Sequence, residues 1–262
     1  MVKFNIIIPT IANENRPNSL QKAIQSILNQ TYDNYSIVVV HDGPNNNEKL
    51  AHDFHHINGS HVYEKFLSDN VCAGGARNAA IDFVINNKTD DHEYTMFLDD
   101  DDVLYDKDVL YFLDKFIRKN NYPEIIRGGY LKRFVETGVE KTKLLPESQN
   151  TIGNAILSNV VSASCKVVRN DKLVKFPERV KHQDVIHHIA QLDNCTDYRL
   201  YHGAIFTYNI YDRPDKDKHS PESQKAKNIV PTLLYDLAKR CRYEESSIAC
   251  KEWARKITRL YS

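Results

Sequence analysis

The stretch Thr95-Met96-Phe97-Leu98-Asp99-Asp100-Asp101-Asp102 joins an apolar run directly to four carboxylates. A continuous apolar run is typical of a strand that is buried on both faces. Open α/β sheets bind their ligands at the carboxyl ends of such strands, and a divalent cation with a diphosphate would relieve the repulsion among adjacent carboxylates. The pattern therefore predicts a metal–diphosphate site. The alternative is a solvated acidic loop whose last Asp caps a helix over Val103–Phe116.

The residues before this stretch predict a strand–helix–strand unit. Phe4–Ile8 and Tyr35–Val40 are short apolar strands, and apolar residues recur at helical spacing from Leu20 to Leu28. A crossover of this length suits a parallel pair. Further elements are expected as strands at His61–Phe66, Glu124–Val135, Val160–Val168 and Tyr198–Tyr211, and as helices at Glu48–His55, Val103–Lys119, Ile152–Ser158, Val185–Leu192 and within Val230–Leu260. The charged segment Arg213–Ser223 is expected to be mobile.

Composition narrows the class of protein. The 262 residues carry 35 basic and 35 acidic side chains, so the net charge is zero and gives no global attraction to nucleic acid or anionic membrane. Five scattered cysteines suggest reduced thiols, and no apolar run approaches the roughly 20 residues of a membrane span. The chain begins without a signal-peptide pattern. These features predict a soluble, cytoplasmic α/β protein.

A glycine pair precedes the next helix. Gly74 and Gly75 stand in the segment Asn70–Asn78, which opens a helix through about Ile85. Glycines before a helix let backbone N–H groups approach an anion, although they can equally serve a tight turn. Arg77 could pair with a phosphate or with a structural carboxylate. The Lys-Ser/Thr ending of a P-loop and the third glycine of a dinucleotide fingerprint are absent from this segment.

Six segments in one order resemble the family-2 glycosyltransferases, which have the GT-A fold. They are Ile6–Thr10, Ala23–Tyr32, Val38–Gly43, Asn70–Asn78, Phe97–Asp102 and His182–Asp184. The resemblance is dense over residues 3–103, sparse to about 190 and absent from the tail. It implies a mostly parallel central sheet flanked by helices, with a GT-A domain over residues 1–222 and a helical extension over 223–262. The nucleotide-binding half would end at about residue 103 and the acceptor half at 222.

The resemblance also implies roles for single residues. Pro9 and Thr10 would lie beside the nucleotide base, and Asp42 would hydrogen-bond it. The diphosphate would lie against the loop of Gly74, Gly75 and Arg77. Asp99 and Asp101 match the family's D-x-D pair. Asp99 would contact ribose or sugar, and Asp101 would hold Mn²⁺ or Mg²⁺. Asp100 would also lie in the nucleotide-sugar site.

Fewer residues match the family in the part of the chain that would bind the acceptor. Asp184 matches the family's general base, although Gln183 replaces the usual Glu before it, and His41 stands where Asp is common. His219 matches a histidine that contacts the metal in some relatives. A plain helix N-cap is the alternative for Asp184. His182, His187 and His188 are expected to be surface or core histidines, because adjacent helical residues point apart.

The predicted activity is inverting, metal-dependent transfer of a sugar from a UDP-sugar to a hydroxyl of a glycan or lipid-linked glycan. Such a transfer needs a metal for the leaving diphosphate and a carboxylate base for the acceptor hydroxyl. Asp99–Val103 also fits the motif of the aspartyl-phosphate phosphatases, but that class leaves Asp42 and Asp184 unexplained. A non-catalytic module that binds nucleotide sugars is the alternative outside enzymes.

The C-terminal tail is compatible with more than one class of acceptor. Ala238–Ser262 carries seven basic and three acidic residues, a local charge of +4, and Trp253, Ile257 and Leu260 share one helical face. That face could rest peripherally on the inner side of a membrane, and the charge could meet a polyanion such as DNA with modified bases. The simplest expectation is a closing helix that packs by its apolar face.

Overall fold

The structure is a computed structural model that describes residues 1–11, 18–44, 62–159, 162–211 and 221–260. Its strands are β1 (Lys3–Thr10), β2 (Tyr35–His41), β3 (Val62–Phe66), β4 (Glu93–Phe97), β5 (Val103–Leu104), β6 (Ile125–Phe134), β7 (Glu140–Lys143), β8 (Lys166–Arg169) and β9 (Tyr198–Ile210). Its α-helices are α1 (Ser19–Leu28), α2 (Cys72–Asn86), α3 (Val109–Lys119), α4 (Ile152–Ile156), α5 (Gln183–Asp193), α6 (Pro221–Ala238) and α7 (Glu244–Leu260). Short 3₁₀ turns cover Glu147–Gln149, Ala163–Cys165 and Asn170–Lys172. The predicted helix Glu48–His55 and residues 213–220 of the charged segment lie outside the described residues.

One sheet holds all nine described strands, in the order β3-β2-β1-β4-β8-β6-β9-β5 with β7 paired to β6. The first four strands are parallel, as the strand–helix–strand pattern predicts. Beyond β4 the sheet is mixed, because β8 runs antiparallel to both β4 and β6 while β6 and β9 are parallel. The expectation of a mostly parallel sheet therefore holds for the first half of the chain, and the second half adds antiparallel pairs.

The central strands are apolar because both of their faces are covered. Along β1, Ile6 and Ile8 pack in one buried cluster with α1, whereas Ile7 packs in another with α2. Helix α1 contributes Ile24 and Ile27 to the first cluster. Since successive strand residues face opposite sides, a strand covered on both faces has a continuous apolar run in place of an alternating pattern. This packing fixes the carboxyl ends of β1, β2 and β4 along one edge.

The C-terminal helices complete a third cluster. Val230 of α6 and Ile257 of α7 are fully buried beside Ile189 of α5, and Trp253 packs partly buried against the same cluster. Ile257 and Trp253 of the tail's apolar face therefore pack against the protein, which confirms the expectation of a closing helix that packs by this face. None of the described helices is both long and apolar enough to cross a bilayer. The boundary at residue 222 stays a prediction.

The chain after the acidic run differs from expectation. The helix predicted from Val103 begins only at Val109, because Val103 and Leu104 pair as β5 with β9. Asp102 is therefore not a helix cap, and its Oδ1 accepts a hydrogen bond from the backbone N–H of Asn209 at 2.9 Å. The helical spacing of the sequence could not reveal a pairing with a strand about 100 residues away.

A buried carboxylate ties β6 to the connection before β9. Glu124 pairs with the Lys172 ammonium at 2.8 Å and accepts from the backbone N–H groups of Thr196 and Asp197 at 2.6 and 3.2 Å. Burial acts to raise the pKa of Glu124, but these partners outweigh it and lower the pKa to about 2. The ionised form therefore stabilises the fold.

We expect this contribution to be complete above pH 4.5 and to be lost as the pH falls toward 2, because the pKa of Glu124 is lower in the folded chain than in the unfolded chain. Glu124→Gln should lower the free energy of unfolding at pH 7 by on the order of 3 kcal/mol and flatten its dependence on pH in this window. Urea unfolding between pH 2 and 7 measures both effects. The control is Glu140→Gln, which removes only an exposed ion pair with Arg133; an equal loss in both variants would contradict the prediction.

Candidate active site at the carboxyl ends of the parallel strands

A cavity of about 320 Å³ opens where β1, β2 and β4 end. It brings together eight of the predicted site residues, namely Pro9, Thr10, Asp42, Arg77, Asp99, Asp100, Asp101 and Asp184; Ile11, Ala73, Gln183 and Tyr208 complete the lining. The lining thus contains five carboxylates and one guanidinium. A shallower depression of about 500 Å³ lies on α7 and is lined by residues of that helix alone, so we place the candidate site in the smaller cavity.

The acidic run is a tight turn fixed from two sides. Thr10 Oγ1 donates to Asp100 Oδ2 at 2.7 Å, and Asn209 Nδ2 donates to the carbonyl oxygen of Asp101 at 2.7 Å. Asp99 is the most exposed of the four, while Asp102 is almost fully buried. Burial, followed by the charge of Asp99, raises the pKa of Asp102 to about 9. The turn therefore offers Asp99, Asp100 and Asp101 to the cavity and keeps Asp102 as an anchor to β9.

Asp42 connects the end of β2 to the start of α2. Its backbone N–H donates to the carbonyl oxygen of Thr10 at 2.8 Å, and its Oδ1 accepts from the N–H of Val71 at 2.7 Å. The carboxylate thus caps the amino end of α2 while it lines the cavity. That position agrees with the predicted contact to a nucleotide base, which stays a prediction.

Gly74 and Gly75 are buried in the first turn of α2 and do not line the cavity. A Cβ on Gly74 would lie 2.0 Å from Gln183 Oε1 and 2.7 Å from the Pro177 carbonyl oxygen, and one on Gly75 would lie 2.6 Å from the Val71 side chain. Both glycines therefore have a packing role: a side chain at position 74 would clash with Gln183 and the Pro177 carbonyl, and one at position 75 would clash with Val71 before its own helix. Ala73 is the residue of this turn that reaches the cavity.

Arg77 joins the two sides of the cavity. Its guanidinium lies 2.6 Å from Asp99 Oδ1 and 3.2 Å from Asp184 Oδ1, and the side chain is only 4% exposed. Burial acts to lower the pKa of Arg77, but the carboxylates of Asp99 and Asp184 outweigh it and raise the pKa. The guanidinium also lies 5.0 Å from the centre of the Phe176 ring, which stacks on His187. Ion pairs on one side and rings on the other thus fix its position.

Asp184 lies inside the first turn of α5, not at its cap. The N-cap is His182, whose φ is 57° and whose side chain makes no capping hydrogen bond. The N-cap interpretation of Asp184 is therefore wrong, and its 40% exposed side chain turns toward Arg77 and the cavity. Gln183, which stands where the family has Glu, has a buried Oε1 that accepts no hydrogen bond from the described residues and lies close to Gly74.

Three basic side chains near the cavity are fully buried, those of Lys166, His187 and His188. The Nζ of Lys166 donates to the Ser162 carbonyl oxygen at 2.9 Å, and burial together with nearby Arg127 lowers its pKa to about 7. His187 and His188 are fully buried with strongly lowered pKa values, chiefly through burial, and each ring contacts a backbone carbonyl. They are core histidines, as the sequence predicts. Lys166 was not predicted, since nothing in its local sequence marks it as buried.

The donor chemistry of the cavity fits a divalent cation. Carboxylate oxygens are the ligands that Mg²⁺ and Mn²⁺ prefer, and Mg²⁺ is often held by one or two carboxylates plus substrate phosphates. No group of three acidic, histidine or cysteine side chains in the described part of the chain is arranged to hold a metal alone. His219, the other predicted ligand, lies outside the described residues.

Comparison with known proteins identifies the class. The sequence profile of glycosyl transferase family 2 matches residues 5–173, so the chain belongs to this family of glycosyltransferases. The phosphatase alternative is thereby set aside. The family and the structure together establish the GT-A fold.

Two sequence relatives and one solved structure show how similar the chain is to individual proteins. The chain is 27% identical over 177 residues to the amylovoran biosynthesis glycosyltransferase AmsE of Erwinia amylovora, covering 65% of this chain and 61% of that protein. It is 27% identical over 167 residues to the poly(ribitol-phosphate) β-N-acetylglucosaminyltransferase TarP of Staphylococcus aureus, covering 63% and 46%. The crystal structure of S. aureus TarS 1–349 in complex with UDP-GlcNAc matches 99% of this chain and 71% of that one, with a TM-score of 0.68 and 18% identity. The chain thus spans less than two thirds of the length of these two sequence relatives.

Proposed function

We propose that the protein transfers a sugar from a UDP-sugar to a hydroxyl of a glycan, with inversion at the anomeric carbon and with a divalent metal. The observation that carries this proposal is the single cavity in which Arg77 bridges Asp99 of the acidic turn and Asp184 of α5. The position proposed for the leaving diphosphate, at the acidic turn, therefore lies beside the position proposed for the base, at Asp184. The crystal structure of TarS with UDP-GlcNAc and the glycan-directed names of AmsE and TarP support the donor and acceptor classes.

The residues of the cavity divide the work. Asp101 and its neighbouring carboxylates would hold Mn²⁺ or Mg²⁺, which supplies positive charge to the leaving diphosphate. Arg77 adds a fixed positive charge beside the same group. Asp184 takes the proton of the acceptor hydroxyl as its oxygen attacks the anomeric carbon. In this proposal residues up to about 103 bind the donor, and residues 104–222 position the acceptor.

We expect metal-dependent binding of UDP that rests on Asp101. Asp101→Ala should abolish the Mn²⁺ dependence of UDP binding in calorimetry, because a ligand of the ion is lost. Asp106→Ala, which alters a carboxylate after β5 outside the cavity lining, is the matched control. Undiminished metal-dependent affinity in Asp101→Ala would contradict the assignment of this residue.

Asp42 is expected to select the base. A uracil ring carries an N–H that the carboxylate can accept, whereas an adenine ring lacks this donor and would leave a buried carboxylate without its partner. UDP should therefore bind more tightly than ADP, by roughly tenfold or more, and the discrimination against GDP should be weaker, because guanine also has a ring N–H. Competition titrations with the three nucleotides measure this order. Equal affinities for UDP and ADP would refute the role of Asp42.

A further inference from the structure

One face of the β6–β7–β9 region carries only basic and apolar or aromatic side chains. In the strand register, Lys132 of β6 lies between Tyr208 of β9 and Lys141 of β7, and Tyr130 lies between Phe206 and Lys143. Side-chain contacts confirm that these residues share a face: the ring of Tyr130 lies 6.4 Å from that of Tyr208, and the Lys132 ammonium lies 6.0 Å from the Tyr130 ring. We call this set, with Phe134, the lysine–tyrosine face.

The two sides of the β6–β7 hairpin differ in how their charges are paired. On the opposite side, Arg133 and Glu140 form an ion pair at 2.7 Å. On the lysine–tyrosine face, no carboxylate of the described residues pairs with Lys132, Lys141 or Lys143. The hairpin therefore neutralises one side within itself and presents three positive charges on the other, of which those of Lys141 and Lys143 are on exposed residues.

This face leads into the candidate active site. Tyr208 is 43% exposed and lines the cavity together with Asp101 and Asp184. Its ring is held in place from behind by Tyr130, which in turn stacks on Phe206 at 5.5 Å. A molecule lying on the lysine–tyrosine face would thus reach Asp184 with one end. A fixed, exposed ring at that point offers a flat apolar surface to the C–H face of a sugar or polyol.

We propose that the lysine–tyrosine face binds the acceptor and that the acceptor is a hydroxyl-bearing polymer with phosphate or carboxylate groups. Ammonium groups are compact charges that pair with such anions, and their spacing along the strands suits repeated charges on one chain. Tyr208 packs against the unit whose hydroxyl faces Asp184, and the lysines hold the anionic groups that precede it. The inference rests on the proposed glycosyl transfer for its chemistry, whereas the binding itself can be measured without transfer.

Binding of three probes to the full chain tests the proposal: a polyol-phosphate oligomer, a polyuronate oligomer and a neutral dextran of equal length. At least one anionic probe should bind about tenfold more tightly than dextran, and its advantage should shrink as salt screens exposed charges. The preferred anion identifies phosphate or carboxylate as the natural group. Lys132→Gln/Lys141→Gln/Lys143→Gln should lose about tenfold in that affinity, the sum of three weak charge pairs.

The control variant is Arg133→Gln/Glu140→Gln, which alters the paired side of the same hairpin and should bind as the wild type does. Tyr208→Leu should weaken binding of anionic and neutral probes alike. Equal binding of all three probes, or equal losses in the lysine variant and the control, would overturn the proposal. Calorimetry with UDP and Mn²⁺ distinguishes failure of the proposed function from failure of the acceptor proposal. Absent UDP binding would refute the proposed function. Normal UDP binding without preference for an anionic probe would refute only the acceptor assignment.

Discussion

Asp184→Asn is expected to lower the rate of sugar transfer by roughly 10²–10⁴-fold, the usual contribution of a positioned base. Asn keeps the size of the side chain and an oxygen that can still accept from Arg77, so the geometry of the cavity should persist. UDP affinity should remain close to that of the wild type, because the lost function is acceptance of the acceptor's proton. Since the carboxylate acts only as that proton leaves, the loss should appear mainly in kcat.

The measurement is UDP release with acceptor present, together with calorimetry of UDP binding. Asp82→Asn is the matched control, because Asp82 forms an exposed ion pair with Lys175 outside the cavity. The product should have the inverted anomeric configuration by NMR, as a single displacement requires. Transfer by Asp184→Asn at the wild-type rate, or a retained configuration, would contradict the role of Asp184, and UDP-sugar binding without any transfer by the wild type would favour the non-catalytic module.

The described strands and helices of the first hundred residues were predictable because their local pattern and their tertiary role agree. Strand β1 carries an uninterrupted apolar run over Ile6, Ile7 and Ile8, which is typical of a strand covered on both faces. The spacing in α1 marks the stripe that packs on the sheet, and Leu20, Ile24 and Ile27 are buried as it predicts. A crossover long enough to hold a helix suits a parallel pair, and β1 and β2 are parallel. The position of the acidic run at a strand end follows from the same pattern.

The second half was less predictable because long-range pairing decides its structure. The two residues of β5 are strand only because Thr207 and Phe206 of β9 lie beside them. The antiparallel position of β8 between β4 and β6 depends likewise on strands remote in sequence. Local propensity carries little information about such pairs.

The candidate site shows the same division. Motif residues at strand ends could be located from sequence, and the cavity gathers Asp42, Asp99 and Asp101. The bridge from Arg77 to Asp184 could not be predicted, because it joins residues 107 positions apart. The packing of Gly74 against Gln183 was hidden for the same reason, and the contact of this loop with a diphosphate, which the resemblance implies, stays a prediction.

Arg77→Gln is expected to reduce kcat/KM by roughly 10²–10³-fold, comparable to the loss of one preorganised donor to a developing negative charge. The variant loses the positive charge nearest to both Asp99 and Asp184, so the donor diphosphate and the base are affected together. Folding should be less affected than activity. The two carboxylates left behind are 38% and 40% exposed, and water can solvate them.

Two further variants separate charge from geometry at this position. Arg77→Lys keeps a positive charge, but a single ammonium cannot reproduce a planar guanidinium that contacts two carboxylates, so it should restore part of the UDP affinity and little of kcat. Phe176→Leu removes the ring beneath the guanidinium and leaves both ion pairs, so its loss should be the smallest of the three. Calorimetry with UDP, steady-state rates and thermal melting resolve these effects. If Arg77→Gln melts far below the wild type while its folded fraction binds UDP and turns over normally, then Arg77 serves the fold, and the charge that meets the diphosphate must come from the metal alone.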